Sequence, residues 1–358
     1  MAPQTHKSIF LSADGKLVVQ PVTEQYIIGG SECLIRIDYS AINPCDLNFY
    51  HMGLNSFVTG FEHSGVVEKA GPDSPFQVGD AVCGISPVVF PMPSSYGTHQ
   101  DLAVARSELL HKIPNGVSSK ESSALCVAAN TAADALFNII GLGLPAAGVS
   151  GIDPTGQGIL IWGGASSVGT MAIQMAKAAG FKYIFTTASS KNHEALRQLG
   201  ATHTFNYRSS NVVEDIQEAQ NALGTSLTIA FDTVGKGTTS HGANNELSTP
   251  VLTKNALSSS GGLRLACTLP VPADSAFGFC TSYRPAGDRN AMGAPQDPDA
   301  PIRVRKVVGH LLTMNGGGLR LPVVTVVNGG AEAAIEAIRR VAAGEMSMEK
   351  LVLKHPLE

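Results

Sequence analysis

Hydrophobic positions in the first third of the chain come in short runs. Leu17-Val18-Val19, Cys33-Leu34-Ile35-Arg36-Ile37, Ser64-Gly65-Val66-Val67-Glu68 and Gly79-Asp80-Ala81-Val82-Cys83-Gly84 are each alternating or mostly apolar, and Pro72, Pro75, Pro87, Pro91 and Pro93 fall among the turns. Runs of that length and period predict strands, so residues 7 to about 112 read as a compact β-rich lobe. After Pro114 the period lengthens. Residues 119–140 are rich in Ala and Leu at helical spacing, with Ser118 and Ser119 as candidate caps and Gly141 as the stop.

Residues 141–157 are a loop by composition, and an alternation of strand and helix follows. Strands are predicted over 159–162, 183–187, 227–231 and 263–268, with helices over 168–179 and 193–199 between the first of them. Residues 270–300, rich in Pro, Gly and Asp, read as an irregular excursion. A helix over 302–314, a strand over 322–327, a helix over 331–343 and a strand over 351–353 complete the chain. Strands alternating with helices imply an α/β fold with a parallel sheet covered on both faces.

The 358 residues exceed what one core usually serves, so two lobes are expected. A net charge of -4 with no run of Lys or Arg gives no electrostatic footprint for nucleic acid or an anionic membrane, and neither is expected as a partner. The polar amino end lacks the apolar core of a secretory signal, and no apolar stretch approaches the ~20 residues of a membrane span. A soluble, cytoplasmic protein is expected. Its six cysteines, Cys33, Cys45, Cys83, Cys126, Cys267 and Cys280, contain no C-x-x-C pair, which argues for free thiols over a disulfide framework or a closed structural zinc site.

The strongest chemical signal is the apolar run from Gly158 to Trp162 leading into Gly163-Gly164-Ala165-Ser166-Ser167-Val168-Gly169 and a helical pattern. Strand, glycine turn and helix in that order are the setting of a dinucleotide fingerprint. Gly164 is expected to permit the turn, Gly169 to let helix and strand approach, and the helix-start N–H groups to face a pyrophosphate. Ser166 stands where the fingerprint usually has its middle glycine. A glycine turn of an unrelated α/β protein, or a fold binding S-adenosylmethionine, are the competing readings.

About 20 residues on, NAD-dependent enzymes carry an acidic residue for the ribose 2′-hydroxyl. Here the chain reads Ala188-Ser189-Ser190-Lys191-Asn192-His193, with no acid before Glu194. Hydroxyls and an ammonium suit a 2′-phosphate, which a carboxylate would repel. NADPH is therefore the expected cofactor, held by Ser189, Ser190 and Lys191, with Tyr207 and Arg208 after the next strand as further contacts.

Five segments in order resemble the medium-chain dehydrogenase/reductase superfamily, in its quinone oxidoreductase and enoyl reductase branch. They are Ala41-Ile42-Asn43-Pro44-Cys45-Asp46, Gly60-Phe61-Glu62-His63-Ser64-Gly65, Phe76-Gln77-Val78-Gly79-Asp80-Ala81-Val82, Ala230-Phe231-Asp232-Thr233-Val234-Gly235 and the stretch from Gly344 to Val352. Leu142 to Pro145 and the long loop after it are similar to fungal enoyl reductases that act in trans with polyketide synthases. The resemblance implies a GroES-like β-rich catalytic domain over 1–130, completed by 315–358, and a doubly wound Rossmann domain over 131–314. It also adds Thr233 to the cofactor contacts.

The zinc-ligand positions of related alcohol dehydrogenases correspond to Asn43, Phe61 and about Val127, a set that cannot hold the metal, and Cys45, His63 and Cys126 fall out of register. No metal is expected. The position of the proposed active-site lysine of the trans-acting reductases corresponds to Asn48, and Glu62 stands where they often carry Asp. Segments that flank the cleft in related enzymes carry Asn43, Asp46, Asn48, Tyr50, Asn130 and Thr131. Asn43 and Thr131 are expected to orient substrate and nicotinamide, and Tyr50 to donate to an enolate or hand over a proton. Asp46 and Glu62 as loop braces, and Tyr50 as a packing aromatic, are the competing roles.

The reaction expected is NADPH-dependent hydride transfer to an activated carbon–carbon double bond of a free or carrier-bound substrate, with a polyketide synthase as partner. A quinone reductase is the enzymatic alternative. A redox-silent relative, acting as a scaffold or in a non-redox rearrangement, is the alternative of another class.

Overall fold

A computed structural model of the chain describes residues 6–238, 248–258, 262–314 and 318–357. Two compact units emerge: Met1–Val127 with Asn290–Ala294 and Arg320–Glu358, and Ala128–Arg289 with Pro295–Leu319. The expected return of the chain to the first domain at 315 lies outside the described residues.

The first unit is the β-rich one. Its larger sheet runs, in order, Val323–Val326, Glu349–Lys354, Glu32–Ala41, Glu62–Ala70, Ala81–Ile85 and Leu110–Lys112, with Leu102–Arg106 also paired to Glu32–Ala41. A smaller sheet joins Leu17–Val22, His6–Leu11 and Phe57–Val58. Strand Glu32–Ala41 is the hub, antiparallel to both Glu62–Ala70 and Glu349–Lys354. The helix Gly330–Ala342 buries Ala334, Ala337, Ile338 and Val341, a stripe with helical spacing, in the core that also holds Ile9, Leu11, Phe57 and Phe61.

The second unit is a parallel sheet in the order His203–Asn206, Tyr183–Ala188, Gly158–Trp162, Ile229–Asp232, Arg264–Cys267, Phe277–Phe279. Counted along the chain that order is 3-2-1-4-5-6, the doubly wound arrangement whose first strand lies at the switch point where ligands bind. All five residues of Gly158–Trp162 are buried, as a central strand covered on both faces requires.

The long helix expected over 119–140 is broken. A four-residue helix, Ser119–Ser122, opens with the capping box of Ser118 and Glu121; Cys126–Ala133 follows, and then a π-helical turn, Asp134–Ile139. The wide turn carries a fully buried carboxylate, Asp134. Arg284 grips it in fork fashion at 2.5 and 2.8 Å, with the Thr281 N–H at 2.9 Å. Part of the irregular stretch 270–300 is thereby anchored, and it also contains the strand Phe277–Phe279.

His63, on strand Glu62–Ala70, is buried with neither ring nitrogen hydrogen-bonded among the described residues. Burial, reinforced by nearby His355, pushes its pKa down to about 4 from 6.5. The unfolded chain therefore takes up a proton near pH 6.5 that the folded chain refuses until about pH 4. Stability is full above pH 6.5 and falls as the pH drops between those values, by up to about 3 kcal/mol from this group. Replacing His63 by Leu should flatten that part of the profile. Urea unfolding midpoints at pH 7 and pH 5 check this, and equal acid losses in both proteins would refute it.

Candidate active site

In the first unit the ends of three adjacent strands meet. Val352 pairs with Ala41, and His63 with Ser40. The loop residue Asn43, Glu62 and Lys350 therefore converge. Glu62 is fully buried, and its Oε1 accepts hydrogen bonds from Asn43 Nδ2 at 2.9 Å and Lys350 Nζ at 2.7 Å. Lys350 also donates to Asn43 Oδ1 at 2.5 Å, and the Val127 N–H donates to Glu62 Oε2 at 2.9 Å. An ammonium, a carboxylate and an amide form a closed buried triangle.

Asp46 braces the same loop, accepting from the Asn43 N–H at 2.7 Å and the Gly60 N–H at 2.9 Å. Asn48, half-buried, donates to the Ala342 carbonyl at 3.2 Å and so ties its turn to the end of the Gly330–Ala342 helix. Tyr50 is 36% exposed, and its ring lies across the Gly15 turn, where an added Cβ would come within 2.7 Å of it. The second unit places Asn130 and Thr131, both buried, on Cys126–Ala133.

At the positions matched to zinc ligands, Phe61 is sealed in an aromatic cluster, edge-on to Phe49 at 5.3 Å, while Asn43 and the Val127 backbone are committed to Glu62. Among the out-of-register donors, burial pushes the Cys45 thiol well up. A hydrogen bond with Cys83, reinforced by burial, does the same to Cys126. Strand alternation also turns His63 to the face opposite Glu62.

The glycine turn of the second unit is built by close approaches. Gly163 takes a left-handed φ of 86°, so the tight turn falls on it and not on Gly164. Gly164 is required for another reason: a Cβ there would strike Thr186 Oγ1. A Cβ on Gly169 would strike the Gly163 carbonyl, so the helix start can lie against the strand end only because position 169 is glycine. Ser166 caps the helix Ser167–Ala179, accepting from the Gly169 N–H at 2.9 Å, and its hydroxyl also meets Thr233 Oγ1 at 3.0 Å. Thr233 in turn donates to the Trp162 and Gly163 carbonyls at 2.8 and 2.9 Å. Ala165, Ser167 and Val168 are half-buried at the open end of this turn.

The parallel register Ala188↔Asn206 sets Ser189 beside Tyr207 at the carboxyl edge of the sheet. Ser189 is half-buried, and Ser190, Lys191 and Tyr207 are exposed; the Arg208 guanidinium lies 5.1 Å from the Tyr207 ring centre. Glu194 is turned to Arg197, at 3.5 Å. A glycine cradle that a side chain would fill and a capped helix start, with a hydroxyl-and-lysine edge beside them, fit a dinucleotide cofactor.

Residues 29–115 match the alcohol dehydrogenase GroES-like domain, and residues 167–245 the zinc-binding dehydrogenase family. The trans-enoyl reductase ACTTS2 of Alternaria alternata is 26% identical over 98% of this chain and 99% of its own. Dehydrogenase pigH of Monascus ruber is 40% identical over 50% of this chain and 51% of its own. The solved CurK enoyl reductase has the same fold, with a TM-score of 0.69 at 20% identity over 98% of each chain. The chain is similar over most of its length to the medium-chain dehydrogenase/reductase superfamily, and these likenesses support its enoyl reductase branch. It is accordingly an oxidoreductase, with a GroES-like domain and a Rossmann domain.

Sequence reasoning did not single out Lys350 as a site residue, and it took Glu62 only for a loop brace. One signal was present: period-two alternation puts Lys350 on the same inward face as the wholly buried Val352. Replacing Lys350 by Met leaves Glu62 buried without its counter-charge, which should cost about 3–5 kcal/mol, and adding Glu62→Gln should recover much of it. Denaturant melts of the two variants measure this; a single variant as stable as the parent would contradict the triangle.

Proposed function

We propose that this chain is an NADPH-dependent enoyl reductase, reducing an activated carbon–carbon double bond in a free or carrier-bound α,β-unsaturated substrate of polyketide type. The observation that supports the reading is the buried Asn43–Glu62–Lys350 triangle, which fixes the Lys350 ammonium, with one N–H beyond its bonds to Glu62 and Asn43, beside the position matched to a metal ligand in related enzymes. Conjugate reduction asks for donors to a developing enolate oxygen rather than a Lewis acid, and pre-positioned donors in a dry site are strong stabilisers. NADPH, when bound, supplies the hydride.

The chain's residues do the rest. Asn43, locked by Glu62, Lys350 and Asp46, and Thr131 on its helix orient the reacting groups, and orientation supplies much of the rate. Asn48 fixes the turn that carries Tyr50, and the Tyr50 hydroxyl is the candidate proton donor. Ser189, Ser190 and Lys191, with Tyr207 and Arg208 alongside, grip the 2′-phosphate. The full-length similarity to a trans-enoyl reductase supports delivery of the substrate by a polyketide synthase.

NADPH should be consumed with an α,β-unsaturated thioester and not with small quinones. Oxidation of NADPH by quinone alone would replace this reading with a quinone reductase, and product formed without cofactor would replace it with a redox-neutral one. Separately, Lys191→Ala should weaken NADPH roughly tenfold, as loss of one charged hydrogen bond of about 1.4 kcal/mol does. NADH should be unaffected in the same fluorescence titration; equal weakening of both coenzymes would remove Lys191 from the phosphate site.

A further inference from the structure

A second line of polar side chains crosses the core of the first unit. Asp46 Oδ2 lies 3.3 Å from His99 Nε2; His99 Nδ1 lies 2.8 Å from Ser40 Oγ; Ser40 Oγ lies 2.8 Å from His355 Nε2; and His355 Nδ1 lies 3.0 Å from Asp101 Oδ1. Asp46, His99 and Ser40 are wholly buried, and so is the His355 ring, whereas the Asp101 side chain is 21% exposed. One end of the line holds Asn43, and the other reaches the surface.

The hydrogens along this line do not suffice. Each of the four links needs one. A neutral imidazole offers one hydrogen, two rings offer two, and the Ser40 hydroxyl offers a third. Both carboxylates face inward as acceptors: Asp46 already accepts the Asn43 and Gly60 N–H groups, and Asp101 accepts the Leu357 N–H at 2.8 Å. With both rings neutral and both acids ionised, two acceptors must face each other somewhere on the line, and at every link at least one of the two belongs to a buried side chain, which makes the unmet pair costly.

We infer that Asp46, His99, Ser40, His355 and Asp101 share one additional proton at neutral pH, as a relay that holds the Asn43 loop and exchanges that proton with water at Asp101. His99, Ser40 and His355 are thus positioning residues for Asn43. The role given to Asn43 rests on the enoyl reductase reading, whereas the proton count does not. When base removes the proton at the Asp101 end, hydrogens shift one place along the line, one link is lost, and Asp46 holds its loop less tightly.

The surroundings agree. Asp101 is held below the usual carboxylate range by His355 and the Leu357 N–H, against its partial burial. Burial lowers His355 and Asp101 raises it again; for that ring alone the balance is downward, so the line and not the ring keeps the proton. His6, hydrogen-bonded to Gln100 at 3.2 Å, and neutral His63 are the other titratable groups facing His355, and Cys45 adjoins Asp46.

The test is nitrogen and carboxyl-carbon NMR of the full-length protein at pH 7, with His99 and His355 assigned by single substitution to Gln. One of His99, His355, Asp46 and Asp101 should carry the signature of an added proton, and the Asn43 amide signal should move when that proton is titrated away. Ser40→Ala cuts the line into two links, each served by one neutral ring, so the added proton should vanish; Ser40→Thr should keep it. Two neutral rings beside two ionised acids in the unaltered protein would overturn the inference, whatever the variants do. Because no activity is measured, failure here leaves the enoyl reductase reading untouched, and the reverse holds as well.

Discussion

A carboxylate with no exposed surface needs a partner for every lone pair it turns inward, and Glu62 sets that demand for the first unit. Lys350, Asn43 and the Val127 N–H meet it from three places in the chain, and so tie strand Glu349–Lys354 and the loop after Ala41 to the start of strand Glu62–Ala70. Asp46 makes the same demand a few residues away, satisfied by two backbone N–H groups and His99. A buried ion pair adds little net stability over an apolar replacement, but it permits few alternatives. The loop carrying Asn43, Asn48 and Tyr50 is therefore specified by electrostatics more than by apolar packing.

The second unit answers to a steric constraint instead. Its helix start can touch the Gly163 carbonyl only because position 169 lacks a Cβ, and Thr186 closes the space above Gly164. Ser166, in the place of a usual glycine, turns its hydroxyl to capping and to Thr233. A small polar residue there gains two hydrogen bonds that glycine could not make.

The contrast explains what could be read from the sequence. Strand, turn and helix from Gly158 to Ala179 lie within two dozen consecutive residues, so local pattern sufficed for the glycine turn, and the strand alternation gave the parallel sheet. The Asn43–Lys350 contact spans 307 positions, and no local pattern foretells which strands will lie side by side. The helix Val212–Leu223 went unread because its buried face is Val212, Ile216 and Gln220, and a buried Gln carries no apolar signal. Period alone also made one helix of 119–140, because the demand of Asp134 for Arg284, 150 residues on, is invisible locally.

Two histidines in one core show why burial alone does not decide charge. His63 and His355 are equally dry, and burial works against a proton on each. His63 has no acceptor within reach among the described residues, so desolvation prevails and the ring stays neutral. His355 lies on a line with a carboxylate at either end, where the neutral state leaves a link unmade and the protonated line leaves none. The cost of the unmet link opposes the cost of the buried charge, and spreading the proton over several groups reduces the latter. Placed side by side in one lobe, the two rings make its acid limit and its alkaline limit depend on different residues.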